Sequence, residues 1–170
     1  MKRLSLFLMI FLTISFTATY ASNPENGKEA KEDIVGLAAS TDMLSTLVTA
    51  VKQAGLVETL QAKGPYTVFA PTNAAFEALP EGVLEALLKP ENKDKLVKVL
   101  TYHVVMGELS SGELVDGLIA TTAEGSNVKV NTGQGMVRIN EAEVVQADIE
   151  ATNGIVHLID KVILPPDFEL

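Results

Sequence analysis

An α+β domain is the fold class that the sequence predicts, and three observations carry it. Apolar residues in the first half recur at helical spacing, those in the second half alternate with polar ones, and tight-turn chemistry joins the alternating segments.

The helices come first. Met43, Leu44, Leu47, Val48 and Val51 share one helical face, with Ser40 or Thr41 to cap the start and Gly55 to end it. Leu56 to Ala62 reads as another short helix, closed by Gly64-Pro65. Tyr66 to Ala70 is rich in β-formers and reads as a strand, broken by Pro71-Thr72. Asn73 to Leu79 then forms a short helix with Thr72 or Asn73 as its cap. Pro80 and Gly82 punctuate the chain before a helix from Val83 to Leu88. Pro90 opens the next one, where Glu91 and Asp94 suit the dipole of the first turn and Leu96, Val99, Leu100 and His103 form the apolar face.

The period changes in the second half. Val128 and Val130 alternate with Asn127, Lys129 and Asn131, and Val137 and Ile139 flank Arg138. Between these runs, Asn131-Thr132-Gly133-Gln134-Gly135 reads as a hairpin turn. Val144-Val145 and Asp148-Ile149 suggest further short extended segments. Asn153-Gly154 is a turn signal, and Ile155 to Leu164 reads as a strand covered on both faces, stopped by Pro165-Pro166.

The ends define the organisation. Lys2 and Arg3 precede an apolar run from Leu4 to Phe16, and Thr19-Tyr20-Ala21 supplies small residues for cleavage. That order is an export signal over residues 1–21, too short in its apolar part for a comfortable membrane span. The protein is therefore expected to be secreted or periplasmic. Residues 22–31 read as a flexible leader, 32–166 as a single domain and 167–170 as a tail without a sorting or anchoring signal. The mature form is expected to be a soluble monomer without stable membrane insertion. Losing Lys2 and Arg3 leaves 11 basic residues against 22 acidic ones, a net charge of −11. Such a chain repels nucleic-acid backbones and anionic membranes alike. With no cysteine, disulfides, thiol catalysis and thiolate metal sites are excluded.

Three segments carry a family resemblance. Thr67-Val68-Phe69-Ala70-Pro71-Thr72-Asn73-Ala74-Ala75-Phe76 resembles the first signature of the fasciclin domain, of a bacterial, secreted single-domain type. Ala151-Thr152-Asn153-Gly154-Ile155-Val156-His157-Leu158-Ile159-Asp160 resembles the second, and Tyr102-His103 the Tyr-His motif between them. The resemblance implies a folded β-sheet sandwich of about seven strands, flanked by short helices. The signatures read chiefly as folding elements. Pro71 ends a strand, Thr72 or Asn73 caps the next helix, Phe69 and Phe76 anchor either side, and Asn153-Gly154 makes the turn into the strand that carries His157.

Candidates for chemistry are few. His103 on an apolar helix face reads as a core histidine held by hydrogen bonds, and for His157 strand alternation leaves both faces open. Two histidines 54 positions apart without an acid at ligand spacing suggest no metal site. Glu141 and Glu143 read as a solvated edge, Gly133-Gln134-Gly135 as a turn, and no nucleophile elbow is present. Neither catalysis nor a cofactor is expected. By resemblance to animal matrix members, in which an Asp-Ile pair is implicated in integrin binding, Asp148-Ile149 and the Tyr102-His103 pair are the candidate contact residues. Without that resemblance, Asp148-Ile149 reads as a bend and a core residue. The expected function is adhesion or another surface or matrix interaction, through an extracellular or envelope protein or glycan. The alternative is a soluble envelope binder of small ligands or carbohydrate.

Overall fold

The computed structural model describes residues 32–133 and 135–168. The export signal, the leader, Gln134 and the last two residues of the tail lie outside the described residues. Lys31–Leu170 forms one compact unit. Its helices are α1 (Ile34–Ser40), α2 (Ser45–Ala54), α3 (Val57–Gln61), α4 (Asn73–Glu77), α5 (Val83–Leu87) and α6 (Lys93–Tyr102). Its strands are β1 (Tyr66–Pro71), β2 (Val104–Met106), β3 (Ile119–Thr121), β4 (Asn127–Gly133), β5 (Met136–Ile139), β6 (Ala142–Ala151) and β7 (Gly154–Ile159). Among the described residues, no single helix is long and apolar enough to cross a membrane.

Local chemistry sets the helix ends. Asp33 caps α1, its carboxylate accepting from Gly36 N at 2.8 Å. Ser40, expected to cap the following helix, instead ends α1, and Thr41 takes an extended conformation. A 3₁₀ turn at Asp42–Leu44 then leads into α2 and leaves Met43 in solvent rather than on the apolar face. Gly55 ends α2 with φ +76°, and Leu56 N–H returns to the Val51 carbonyl at 3.1 Å.

The strands form one sheet in the order β2-β1-β7-β6-β5-β4-β3. β1 and β7 run parallel, and every other adjacent pair is antiparallel. The sheet folds back until its outer strands meet, where Val105 bridges Thr122 and Ala123 N–H donates to Val104 O at 2.7 Å. β6 is one long strand rather than two short segments. Register shifts around Gln146 interrupt its ladder with β7, and Asp148 sits there with φ +56°. β7 stops at Ile159, short of the expected Leu164. The Asp160 carboxylate turns back to accept Glu143 N–H at 2.7 Å, and the chain leaves the sheet.

β1 and β7 divide two apolar cores. Val68, Ala70, Val156 and Leu158 face the helical layer, where they meet Leu44, Leu47, Phe76 and Leu100. Phe69 and Ile159 face the inside of the folded sheet with Tyr102, Val105, Leu114, Val128, Val130 and Ile139. Burial on both sides explains why β7 is apolar almost throughout. Backbone proximity fixes where the parallel pair begins. A Cβ on Gly154 would lie 1.9 Å from Tyr66 O, and one on Gly64 would lie 2.0 Å from Asn153 O. Gly154→Ala should therefore force the β1–β7 ladder apart and cost at least about 2 kcal/mol, read as a lower urea midpoint. A midpoint equal to that of the parent would contradict this packing.

Candidate functional site

The sequence-predicted residues fall into three groups. The first is a set of clamps. Asn153 stands at the β6–β7 turn and reaches into the helical layer. Its Oδ1 accepts from Ile34 N at 3.0 Å, and its Nδ2 donates to Leu60 O at 2.6 Å and Ala62 O at 3.1 Å. Asn73 does the same between helices. Its Oδ1 accepts from Thr46 N at 3.0 Å, covering an orphan donor of α2, while its Nδ2 donates to Asp42 O at 3.0 Å. Thr72 is the cap of α4, with Oγ1 3.3 Å from Ala75 N. Pro71 ends β1 in register with Ile159, and Phe69 and Phe76 are buried on opposite sides of the sheet.

The second group is the Tyr-His pair. Both side chains are 2 % exposed. Tyr102 Oη donates to Asn127 O at 3.1 Å and accepts from Asn140 Nδ2 at 3.0 Å. His103 lies at the end of α6, where Nδ1–H donates to Val99 O at 2.8 Å and Nε2 accepts Ile163 N–H at 3.1 Å. That pattern requires the neutral ring, and burial pushes its pKa down from 6.5 to about 4. The expectation of Tyr102 and His103 as contact residues thus meets no accessible surface; the core-histidine reading fits their geometry.

The third group is the Asp-Ile pair with His157. Asp148 is exposed, and Ile149 is half-buried against the helix-side core. The Asp148 carboxylate accepts Ser111 N–H at 2.7 Å through Oδ1 and the Ser111 hydroxyl through Oδ2. Those bonds, the hydroxyl first, hold the carboxyl below its usual range. His157 faces the inner core, fully buried and stacked on Phe69 with 5.7 Å between ring centroids. Its Nδ1 accepts Asp148 N–H at 3.3 Å, and its Nε2–H donates to Leu109 O at 2.8 Å. Burial, opposed by that bond and by the nearby Asp148 charge, lowers its pKa.

Ser111, His157 and Asp148 are the residue types of a nucleophilic triad, but their wiring differs from one. In a triad the imidazole bonds both the hydroxyl and the carboxylate. Here the carboxylate takes the hydroxyl directly, and both ring nitrogens are occupied by backbone groups. Ser111 therefore has no base. Among the described residues, no group of three acidic, His or Cys side chains is placed to hold a metal ion. The apolar cavity between α1, α2 and β1 has about 30 Å³ of room, far below a small-ligand pocket of roughly 300 Å³, whereas more open clefts beside Lys89 and Lys93, beside Asn140 and Lys161, and beside Lys63 and Asn153 hold about 320, 330 and 430 Å³.

Sequence reasoning missed the partners of this third group. Thr67 is fully buried, and its Oγ1 donates to Gly107 O at 2.7 Å and accepts Leu109 N–H at 2.8 Å. Ser111 and Leu109 belong to the loop between β2 and β3, whose flanking strands are too short to alternate. One signal was available. Ser110 and Glu113 have capping-box spacing, and Glu113 Oε2 does accept Ser110 N–H at 2.9 Å.

The neutral state of His103 sets a pH dependence. Its folded pKa of about 4 lies below the ordinary 6.5, so the unfolded chain takes up the proton first as the pH falls. Stability is lost from about pH 6.5 down to about 4, by about 3 kcal/mol for this group. His103→Ala should cost about 1–3 kcal/mol at pH 7.5 by leaving Ile163 N–H and Val99 O unpaired, and should flatten the acid limb of urea midpoint against pH. An unchanged midpoint or limb would contradict the assignment.

The fasciclin domain model matches residues 42–165. Protein sll1483 of a Synechocystis strain is 55% identical over 133 residues, covering 78% of this chain and 73% of that protein. The cell surface glycolipoprotein MPB83 of Mycobacterium bovis is 36% identical over 157 residues, covering 89% and 69%. Among solved structures, a FAS1 domain pair from the insect cell adhesion molecule fasciclin I aligns with a TM-score of 0.72 at 21% identity, over 79% of this chain and 51% of that one, a likeness of fold. The chain belongs to the fasciclin-domain family.

Proposed function

We propose that this domain is exported and acts by contact, mediating adhesion or another surface interaction through a protein or glycan of the envelope or the cell exterior. The family is non-enzymatic. The export pattern at the N-terminus supports action outside the cytoplasm. So do two relatives, one named for the cell surface and one structural neighbour titled as a cell adhesion molecule.

One observation carries the choice of site. Of the four candidate contact residues, Asp148 is exposed, Ile149 is half-buried, and Tyr102 and His103 are enclosed. The contact surface is therefore the face around Asp148 and the loop that it holds. The exposed Asp148 charge suits electrostatic steering toward a cationic partner surface.

Attachment of the mature domain to envelope preparations of its own organism should saturate. Asp148→Asn keeps an acceptor oxygen for Ser111 but removes the charge, and should weaken attachment about tenfold, or 1.4 kcal/mol, at unchanged far-UV circular dichroism. Absence of saturable attachment would overturn the function, whereas full attachment by the variant would overturn the site.

A further inference from the structure

We propose that His157 is an acid-operated latch for the loop at 107–116, which its neutral ring holds closed and its protonated ring releases. The loop runs from β2 toward β3. Its ends are pinned by Gly107 N–H on Pro65 O at 3.1 Å and by the Asp116 carboxylate, which accepts Thr132 N–H at 2.9 Å, and three further anchors hold the stretch between. Thr67 Oγ1 bonds Gly107 O and Leu109 N. His157 Nε2–H bonds Leu109 O at 2.8 Å. The Asp148 carboxylate bonds the Ser111 N–H and hydroxyl.

Two of these anchors depend on the same imidazole. The bond to Leu109 is direct. The Asp148 anchor depends on it through the backbone, because Asp148 N–H donates to the Nδ1 lone pair from a residue held at φ +56° in the irregular part of β6. A left-handed conformation is unfavourable for a residue with a side chain, so that bond helps fix the carboxylate's direction. Protonating Nδ1 replaces its lone pair with an N–H. Two donors then face each other, and a charge enters a ring that is fully buried on Phe69. Moving Asp148 away from the ring relieves the donor clash and lets go of Ser111.

The charged groups around the ring permit this transition. Asp148 and Glu150 lie on β6; Glu108, Glu113 and Asp116 lie on the loop; Tyr66 is the titratable residue of β1, and Asp160 follows β7. Asp148 is the one that raises the proton affinity of the ring electrostatically, and burial opposes it more strongly. Glu113 is bonded within the loop to Ser110. At neutral pH the ring is thus neutral and the latch closed. His103, the other buried imidazole, bonds α6 and the segment after β7 rather than the loop, so its protonation weakens the whole fold and leaves no local signature. Release lifts Leu109 and Leu114 from the inner core and bares an apolar surface next to Asp148.

Amide hydrogen exchange of the intact mature protein in steps from pH 7.5 down to 4.5, corrected for intrinsic rates, tests the latch. Protection of the Ser111 and Asp148 amides should fall about tenfold or more along that series, at a pH where Val130 and Ile139 in β4 and β5 keep theirs. His157→Gln, which retains an acceptor and a donor but does not titrate, should abolish that difference. Equal loop protection throughout the series, loss in step with β4 and β5, or a difference that persists in His157→Gln would each overturn the proposal. Should that variant not fold, an NMR titration of the parent decides: the imidazole and Ser111 amide shifts must share one midpoint, and separate midpoints refute the latch.

Discussion

The parallel pairing of β1 with β7 is the constraint on which the rest of this structure depends. These two strands are the wall between the helix-side core and the core inside the folded sheet. A parallel pair far apart in sequence cannot be closed by a hairpin, so its register must be fixed by contacts at its ends. At one end, Gly154 and Gly64 let two backbones approach more closely than any Cβ allows. At the other, Thr72 N–H reaches Ile159 O at 3.1 Å, just where its own hydroxyl begins α4. Both family signatures are therefore the ends of a single joint. Their residues are demanded by close approach and hydrogen bonding before any partner is considered.

The two histidines hang on that wall and divide the labour. Each is neutral, and each uses one ring nitrogen as donor and the other as acceptor. His103 ties the end of α6 to the segment after β7, closing the bottom of the fold. His157 ties the irregular stretch of β6 to the loop after β2, near the surface. The same side chain thus has a global role in one place and a local one in the other. The difference comes from what its partners are attached to, since the burial of the two rings is nearly equal. It is also why the exposed candidate, Asp148, is held by a buried residue: a carboxylate presented at a surface needs a backbone that does not wander.

Much of this was legible in the residues themselves. The change from helical to alternating period located the boundary between the layers, and Gly55, Pro71-Thr72 and Asn153-Gly154 marked stops and turns with a local physical cause. What stayed hidden depends on the fold as a whole. β2 and β3 are too short to show a period, and they exist because the sheet closes upon itself. Ser40 and Thr41 have the chemistry to start the next helix, yet both hydroxyls bond Leu37 O at the end of α1, and only packing decides between the two uses. The run from Ile155 to Leu164 looks like one strand because apolarity continues past Ile159, yet Asp160 bends the chain toward Glu143 and Ile163 passes to His103. The face of His157 was undecidable from alternation because both faces of β7 are covered. The site was legible in its types, with Asp148 and His157 both marked, but not in its connections, since Ser111 meets Asp148, Leu109 meets His157 and Thr67 meets Leu109, each across more than thirty residues of chain.

The most direct test of this architecture is the free energy of unfolding of Asn153→Ala, measured together with exchange of the Ile34 amide. Asn153 carries the clamp from the β1–β7 joint into the helical layer, and among the described residues no other side chain covers the Ile34 N–H and the Leu60 and Ala62 carbonyls as it does. Removing it leaves those backbone groups unpaired in a partly buried setting. A loss of about 2–4 kcal/mol with faster exchange at Ile34 is the expected result. A loss below about 0.5 kcal/mol, the range of an ordinary surface substitution, with Ile34 still protected, would show that the second signature does not hold the two layers together.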